Sequence, residues 1–255
     1  MIERVGRSLN RRDLVKPGRL SLAKAATRSF GVCLGLLVAA PVLANSGTAG
    51  LSPPEPNGGK EPAPYSAVPK PRDNFVDVKA SEATRQVANW VVATGDNLEL
   101  PFLIVDKIHA QVFAFSADGK PRGSNPILIG LARGDTSTAG IGQRRLADIA
   151  PADRTTPAGR FVAALGNDLG PQDIVWVDYD NGISLHRVVR GNVADRRLQR
   201  LASTATSDNR ITYGCINVPA NFFDSVVRPL LKGTNGMVYI LPEVRPLRDV
   251  FAIPM

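Results

Sequence analysis

Short apolar runs separated by turn residues are the feature of this sequence that most restricts its fold. They occupy residues 102–107, 111–116, 126–131, 160–165, 174–179, 183–189 and 237–241. Runs of this length that are rich in Val, Ile and Phe are typical of β-strands. Asp180-Asn181-Gly182 joins two of the runs, and Asn-Gly is the strongest short hairpin signal. The sequence therefore predicts a mainly β, sandwich-like domain with a few short helices.

Three stretches have apolar residues at helical spacing instead. Residues 81–94 follow the possible N-cap Ser81 and carry Ala83, Val87, Trp90 and Val91. Residues 192–202 place four apolar side chains on one face: Ala194, Leu198, Leu201 and Ala202. Residues 219–228 begin at Pro219 and direct these side chains inward: Phe222, Phe223, Val226 and Val227. Residues 134–156 lack periodicity, and long loops of this kind often cover functional sites.

The first 44 residues have the order of a secretory signal. Eight basic residues precede an apolar run over residues 30–44 that ends in Val-Leu-Ala. The run is shorter than the roughly 20 residues of a membrane span, and Pro41 interrupts it. We expect cleavage after Ala44 and no stable membrane insertion afterwards. Arg11-Arg12 also resembles a twin-arginine signal, so Sec and twin-arginine export both remain open. The expected location is the periplasm or the cell wall.

Removal of this segment also removes most of the positive charge. The chain carries +8, but residues 1–44 hold eight of its 31 Lys/Arg and two of its 23 Asp/Glu, leaving 23 basic and 21 acidic groups. With a remainder near +2, we expect no nucleic-acid partner. Residues 45–74 are rich in Pro and Gly and are predicted to be a flexible linker. We expect an N-terminal helical extension over residues 75–97, the main domain over 98–242 and a tail over 243–255.

Cys215 is the only cysteine that the predicted cleavage leaves, because Cys33 lies in the apolar run. A thiol at neutral pH is mostly protonated, so cysteine catalysis needs a neighbouring base or a lowered thiol pKa. The sequence offers His109 and His186 as bases. The strand alternation places His186 on the face opposite its large aliphatic neighbours, whereas His109 is expected at a turn. From these residues alone, a reactive thiol and an inert buried one both remain open.

The residues around Cys215 are suited to acyl chemistry. Gly214 leaves room for a substrate carbonyl, and backbone N–H groups from Tyr213 to Cys215 are candidate oxyanion donors. Thr212 and Asn217 are predicted to support the loop by hydrogen bonds, with ordinary turn chemistry as the alternative.

Two further expectations concern the binding of substrate carboxylates and of metal ions. Arg187 and Arg210 are candidates for binding carboxylates, although a run of arginines is more often a solvated surface. The spacing of Cys215 and the two histidines does not fit a zinc motif, so no metal is expected.

Thr212-Tyr213-Gly214-Cys215-Ile216-Asn217, with His186 upstream on a strand, resembles the signature of the L,D-transpeptidases (YkuD-like domains). The resemblance includes F-L-I-V-D-K from residue 102, A-F-S-A-D-G-K from residue 114 and T-T-P-A-G-R-F from residue 155, and covers residues 98–242. Two features depart from the family pattern. Tyr213 replaces a histidine before the glycine, and the 25 residues between His186 and Thr212 form a longer spacer than usual.

The resemblance implies cofactor-free acyl transfer on peptidoglycan stem peptides. Cys215 would attack the carbonyl of the third residue, a diamino acid, and expel the terminal D-amino acid. An amine of another stem would resolve the thioester into a 3→3 cross-link, or another D-amino acid would be exchanged in. His186 would act as the base. An L,D-carboxypeptidase that uses water and a non-catalytic wall-binding module that retains the fold remain alternatives.

Overall fold

The structure is a computed structural model, and it describes residues 79–167, 172–189 and 191–253. The predicted signal (residues 1–44) and linker (residues 45–74) lie outside these ranges, so both remain predictions. Within the described ranges, no helix is both long enough and apolar enough to span a membrane.

The described residues form mainly strands joined by short helices and turns. In chain order the elements are α1(Glu82–Thr94), β1(Phe102–Asp106), β2(Gln111–Phe115), β3(Pro121–Pro126), β4(Ile129–Gly130), β5(Gly159–Asn167), β6(Asp173–Asp178), β7(Ile183–Arg187), α2(Arg197–Leu201), β8(Arg210–Thr212), β9(Ile216–Val218), α3(Ala220–Phe222), α4(Arg228–Leu231) and β10(Gly236–Ile240). A π-helical turn, Phe223–Val227, connects α3 to α4.

Eight of the strands form one sheet in the order β3-β2-β1-β10-β5-β6-β7-β9, and β4 pairs with β8 separately. The β1–β10 and β7–β9 pairs are parallel, and the other neighbours in the large sheet are antiparallel. Val112 of β2 and Val175 of β6 belong to the same buried cluster, so the two halves of the sheet face each other. The mainly β, sandwich-like prediction is confirmed.

Two apolar clusters hold these layers together. The cluster between the sheet halves includes Leu185 and Ile216, which are partners in the parallel β7–β9 pair. The second cluster packs α1 against the outer face of β1, β2 and β10 through Val87, Phe102 and Tyr239. Apolar burial of this kind is the main favourable term in folding. The first cluster fixes the strand that carries His186 against the strand that follows Cys215.

The predicted helix over residues 81–94 and the predicted hairpin over residues 180–182 are both confirmed. Ser81 caps α1 by accepting a hydrogen bond from the backbone N–H of Thr84 at 3.1 Å. The β6–β7 pair is antiparallel and is joined at Asp180-Asn181-Gly182. The sequence patterns did not reveal β3, β8 or β9. β8 and β9 have three residues each, too few for an alternating pattern to be recognised.

The predicted single helix over residues 192–202 is wrong. A 3-10 turn over Val193–Asp195 is followed by Arg196 with φ 49° and then by the five-residue α2. Leu201 is 7 % exposed, but Leu198 is 50 % exposed, so the apolar face of the pattern is only partly buried. Without burial of the whole stripe, the segment lacks the packing that stabilises most protein helices.

The predicted helix from residue 219 is longer than expected and continues past Pro229. Pro219 is its N-cap, and its buried side chains include Phe222, Phe223 and Val227. Because proline lacks an N–H, the turn before it cannot complete the usual α-helical bonding. The wider π-helical turn directly before α4 accommodates this break, and the helix ends only at Leu231.

A buried ionic cluster joins the end of β1 to the long loop and to the chain after β10. The Lys107 ammonium donates to the carboxylate of Asp135 at 2.8 Å and to the carbonyl of Thr156 at 2.9 Å. Asp135 also accepts three backbone N–H groups from residues 243–245. Glu243 pairs with Arg210 and lies 3.7 Å from Lys107. Four charged side chains thereby anchor the segment that leads into Thr156.

Candidate active site

The parallel pairing of β7 and β9 creates the candidate active site. His186 lies opposite Asn217 in this pair, and Cys215 directly precedes β9. Strand alternation sends Ile183 and Leu185 into the core, and sends Ser184 and His186 to the side that meets Cys215. The predicted face of His186 is therefore where the structure places it. Cys215 is a free cysteine and is half-buried.

Polar groups on β7 and directly before it contact the Cys215 sulfur. The Ser184 hydroxyl donates to Sγ at 3.5 Å, and the thiol lies 3.6 Å from the carbonyl oxygen of Gly182. Burial raises the thiol pKa, but a hydrogen bond with His186, the His186 charge and the Ser184 hydrogen bonds outweigh it, so the pKa of Cys215 is lowered. A lowered pKa increases the thiolate fraction at neutral pH, and the thiolate is the nucleophilic form.

Asn217 also contacts the imidazole of His186. Its buried side-chain Nδ2 lies 3.0 Å from His186 Nε2, and its Oδ1 accepts a hydrogen bond from Arg197 Nη1 at 3.1 Å. Because arginine has only donors, Oδ1 must face Arg197, and Nδ2 must donate to Nε2. His186 Nδ1 lies 2.8 Å from the Arg187 carbonyl oxygen, which only accepts. When the imidazole is neutral, its proton therefore resides on Nδ1, and Nε2 carries the lone pair.

Thr212 shapes the turn that presents Cys215. Its hydroxyl donates to the Cys215 carbonyl at 2.6 Å and accepts from the Gly214 N–H at 3.2 Å. The Gly214 N–H is thus engaged within the turn and is not a free oxyanion donor in this conformation. The Cys215 N–H makes no hydrogen bond to any residue that the structure describes. It is therefore the available donor among the N–H groups of Gly214 and Cys215.

Position 214 requires glycine for two reasons: neighbouring atoms approach it closely, and its backbone conformation is one that other residues rarely adopt. Its φ is +124°, and a Cβ at this position would lie 2.7 Å from the Thr155 carbonyl oxygen and 2.9 Å from Ile183 Cδ1. Thr156 holds the same turn, because its hydroxyl donates to the Gly214 carbonyl at 2.7 Å and accepts from the Gly130 N–H. The Thr-Thr-Pro segment and the Gly-Cys turn are therefore packed directly together.

The aperiodic segment over residues 134–156 contains three 3-10 turns: Ile141–Gln143, Leu146–Asp148 and Pro151–Asp153. A Cβ on Gly142 would lie 2.0 Å from the carbonyl oxygen of Asp180, so the first turn packs on the β6–β7 hairpin. The Arg154 guanidinium lies 4.0 Å from the centroid of the Tyr213 ring. The segment therefore contacts the site at two points, beside the hairpin and over Tyr213.

The two arginines proposed for substrate binding have carboxylate partners in the structure. Arg187 pairs with Asp173 and Asp224 and lies over the ring of Phe223. Arg210 pairs with the buried Glu243 and donates to backbone carbonyls. Both guanidinium groups are therefore already neutralised, and a substrate role for either one stays a prediction.

His109 lies in the β1–β2 turn, as expected from the sequence. Its Nδ1 is 2.9 Å from the carboxylate of Asp106, and its side chain is largely exposed. In the described ranges, no group of three His, Cys, Asp or Glu side chains is arranged to hold a metal ion.

Sequence reasoning does not identify Ser184 or Thr156 as site residues, and it places Arg197 only within a run of arginines near the site. Ser184 had a recognisable signal, because strand alternation places it on the same face as His186. Thr156 lies within the Thr-Pro segment that resembles the family motif. The contact of Arg197 to Asn217 has no such signal, since it depends on the turn at Arg196 that breaks the predicted helix.

Ser184→Ala should raise the pKa of the Cys215 thiol, because it removes the hydroxyl that donates to the sulfur. We expect the rate of alkylation near pH 7 to fall by about three- to tenfold, because a smaller fraction of the thiol is ionised. Measurement of iodoacetamide reactivity against pH tests this effect. Ser116→Ala, which removes an exposed hydroxyl after β2, is the matched control and should leave the profile unchanged. An unshifted profile for Ser184→Ala would contradict the assigned hydrogen bond.

Comparison with known proteins gave matches among solved structures only. No protein-family model and no curated protein matches the chain. The helical cell shape determining protein Pgp2 from Campylobacter jejuni is 16 % identical, with a TM-score of 0.38, over 57 % of this chain and 49 % of that protein. The chain thus spans about half the length of that protein.

Two further structural neighbours are L,D-transpeptidases. The catalytic domain of the Enterococcus faecium enzyme is 18 % identical, with a TM-score of 0.34, over 56 % of this chain and 98 % of that domain. The Mycobacterium smegmatis enzyme is 13 % identical, with a TM-score of 0.30, over 55 % of this chain and 58 % of that protein. At these identities and TM-scores the neighbours assign no activity to the chain.

Proposed function

We propose that the chain is an exported cysteine L,D-transpeptidase that acts on peptidoglycan stem peptides. The observation that carries the proposal is the convergence on Cys215 of the Ser184 hydroxyl, the His186 imidazole and a free backbone N–H. A nucleophile, a base and an oxyanion donor are the parts that acyl transfer requires. The sequence signature from Thr212 to Asn217 supplies the substrate class. The predicted signal over residues 1–44 supports action outside the cytoplasm.

In the first half-reaction, the Cys215 sulfur attacks the carbonyl carbon of the third residue of the stem. The thiol proton passes to Nε2 of His186, since Nδ1 already donates to a carbonyl. For this transfer the Asn217 amide must turn away from Nε2, whose lone pair accepts from it in the structure. The Cys215 N–H stabilises the negative charge on the carbonyl oxygen. The C–N bond to the terminal D-amino acid then breaks, and its amine leaves with the proton from His186. The product of this half is a thioester on Cys215.

In the second half-reaction, a side-chain amine of another stem attacks the thioester carbonyl. His186 accepts a proton from the attacking amine, and the C–S bond breaks to release the Cys215 thiolate. His186 then returns this proton to the thiolate, which restores the starting enzyme and leaves a 3→3 amide cross-link. A free D-amino acid as acceptor gives exchange, and water gives hydrolysis. All three outcomes share the same thioester.

Arg197 is expected to keep His186 in the neutral form, which is the form that can act as a base. Its hydrogen bond fixes the Asn217 amide so that Nδ2 faces Nε2, an arrangement that opposes a second proton on the ring. In Arg197→Leu the amide can rotate and accept from a protonated Nε2, and a nearby positive charge is lost. We expect the acidic limb of the kcat/KM profile to move to higher pH, with a several-fold lower rate near pH 6.

The pH profile of Arg197→Lys is the sharper comparison, because lysine retains a donor and a charge toward Asn217. In Arg197→Lys the acidic limb of the kcat/KM profile should return at least in part to its position in the unaltered protein. Arg248→Leu, which removes an exposed arginine after β10, should match the unaltered protein. Equal acidic limbs in the unaltered protein and Arg197→Leu would show that the amide does not influence the base.

The proposed function is tested by incubating the protein with a disaccharide-tetrapeptide and following free D-alanine. We expect D-alanine release together with a cross-linked dimer, or with an exchanged peptide when another D-amino acid is supplied. A tripeptide as the sole second product would identify an L,D-carboxypeptidase. If no D-alanine is released and the protein still binds peptidoglycan after Cys215→Ala, the chain is a binding module instead.

A further inference from the structure

We propose that Arg154, held against the ring of Tyr213, binds a carboxylate of the peptide beside Cys215. The inference rests on the proposed function for the identity of the peptide. The site consists of one guanidinium group, one aromatic ring and the buried carbonyl that orients them. The proposal gives a role to Tyr213, which replaces the histidine found before the glycine in the L,D-transpeptidase signature.

The guanidinium of Arg154 is fixed along one edge. Its Nε and Nη2 donate to the carbonyl oxygen of Ile149 at 3.2 Å and 3.1 Å, and Ile149 is buried. The face of the guanidinium lies over Tyr213, with 4.0 Å from Cζ to the ring centroid. Cation–π contacts of this length are favourable and restrict where the side chain can move. Arg154 is therefore positioned before any ligand arrives.

The outer end of the same guanidinium remains available. Nη1 makes no hydrogen bond to the residues that the structure describes, and Nη2 has a second N–H. Two N–H groups at one end of an arginine match the two oxygens of a carboxylate. The fixed inner edge and the open outer edge together define a site for a planar anion.

Arg154 differs in its charge balance from the arginines around it. The neighbours that pair with carboxylates are Arg144 with Asp153, Arg187 with Asp173 and Asp224, Arg197 with Asp195, and Arg210 with Glu243. No described carboxylate lies within ion-pair distance of Arg154. Its positive charge is thus uncompensated and attracts an anionic group to this edge of the site.

The position of the pair places that anion near the nucleophile. Tyr213 is two residues before Cys215, which limits the separation of their Cα atoms to about 7 Å. Thr155, the residue after Arg154, approaches Gly214 closely, since a Cβ on Gly214 would lie 2.7 Å from the Thr155 carbonyl oxygen. Arg154 and Cys215 are therefore attached to two segments that pack directly against each other.

A stem tetrapeptide can bring two carboxylates close to the scissile bond. One belongs to the terminal D-amino acid, and the other is present where the diamino acid carries a carboxyl group on its side chain. Both have the chemistry that Arg154 recognises, so peptides in which one or the other is amidated distinguish the two sources.

The test measures the affinity of the Cys215→Ala protein for a tetrapeptide by calorimetry or NMR titration. We expect the added change Arg154→Gln to weaken binding by about ten- to hundredfold. Arg154→Lys should be intermediate, because it keeps the charge but loses the paired donors. Arg145→Gln, which removes an exposed arginine of the same loop, is the matched control.

Amidation of the recognised carboxylate should weaken binding to the Arg154 protein and have no further effect on Arg154→Gln. Equal affinities for the tetrapeptide with and without Arg154, in proteins of equal melting temperature, overturn the carboxylate site and leave the proposed function intact. If Arg154→Gln is unstable, Arg154→Lys with unchanged affinity and unchanged sensitivity to amidation overturns it in the same way. Absence of any tetrapeptide binding or turnover overturns both proposals.

Discussion

His186→Gln should lower kcat/KM for the tetrapeptide by about 10²–10⁴-fold, the usual contribution of a general base. Glutamine can retain a hydrogen bond to Asn217, but it cannot accept the thiol proton or return it to the leaving amine. The base assignment depends on this difference. The variant should remain folded, because the His186 side chain is only partly buried and lies outside the two apolar clusters.

The thiol pKa provides a second measurement on the same variant. The hydrogen bond and charge of His186 are the largest influences that lower the pKa of Cys215 against the effect of burial. In the unaltered protein, alkylation should therefore reach its half-maximal rate at a pH below the ordinary thiol value. In His186→Gln that midpoint should move to higher pH. His109→Gln is the matched control and should change neither quantity. Normal turnover in His186→Gln would exclude His186 as the base.

Lys107→Met should lower the free energy of unfolding by about 3–5 kcal/mol, the cost of removing one partner from a buried charge pair. Lys107 is 1 % exposed and donates to Asp135, so its loss leaves a buried carboxylate without its cation. The backbone N–H groups of residues 243–245 compensate only in part. Urea unfolding measures the difference at pH 7.

Lys120→Met is the matched control for this prediction. Lys120 pairs with Asp118 in an exposed turn, and pairs of this kind contribute about 0–1 kcal/mol. The control should therefore lie close to the unaltered protein. Equal stability of Lys107→Met and the unaltered protein would show that the buried cluster does not anchor the loop.

The same cluster predicts how stability changes in acid. Burial raises the pKa of Asp135, but the hydrogen bonds from Lys107 and from three backbone N–H groups outweigh it and lower the pKa to about 2. An aspartate in an unfolded chain has a pKa of about 3.9. The contribution of Asp135 is therefore complete above about pH 4 and is lost as pH falls towards 2. In Asp135→Asn, this part of the decline should be absent from unfolding curves measured over that range.

The sequence predicted the parts of the site that have a local pattern. Alternation along residues 183–189 gave the face of His186, and the Asn-Gly turn gave the hairpin that carries it. Both depend only on neighbouring residues, so a single sequence is sufficient. The parallel β7–β9 pair, which places Asn217 beside His186, depends on a long-range contact. A three-residue strand such as β9 carries no recognisable period of its own.

The arginines also show that contacts between distant segments cannot be predicted from local sequence patterns. The many arginines near Cys215 in the sequence suggest carboxylate binding, with Arg187 and Arg210 as the candidates. The structure pairs both with acidic residues that are distant in sequence, such as Asp224 and Glu243. Ion pairs between distant segments leave no local signature. Arg154 has no signal in the sequence, because its significance depends on the position of the Tyr213 ring.

The central claim is that Cys215 forms a thioester with the peptide, and intact-protein mass measurement during turnover tests it most directly. With a tetrapeptide whose side-chain amine is acetylated, so that it cannot act as an acceptor, the protein should gain the mass of that peptide minus the mass of one free D-amino acid. Peptide mapping should place the addition on Cys215, and Cys215→Ala should show none. An unmodified protein that nevertheless releases D-alanine, or an adduct on another residue, would contradict the claim.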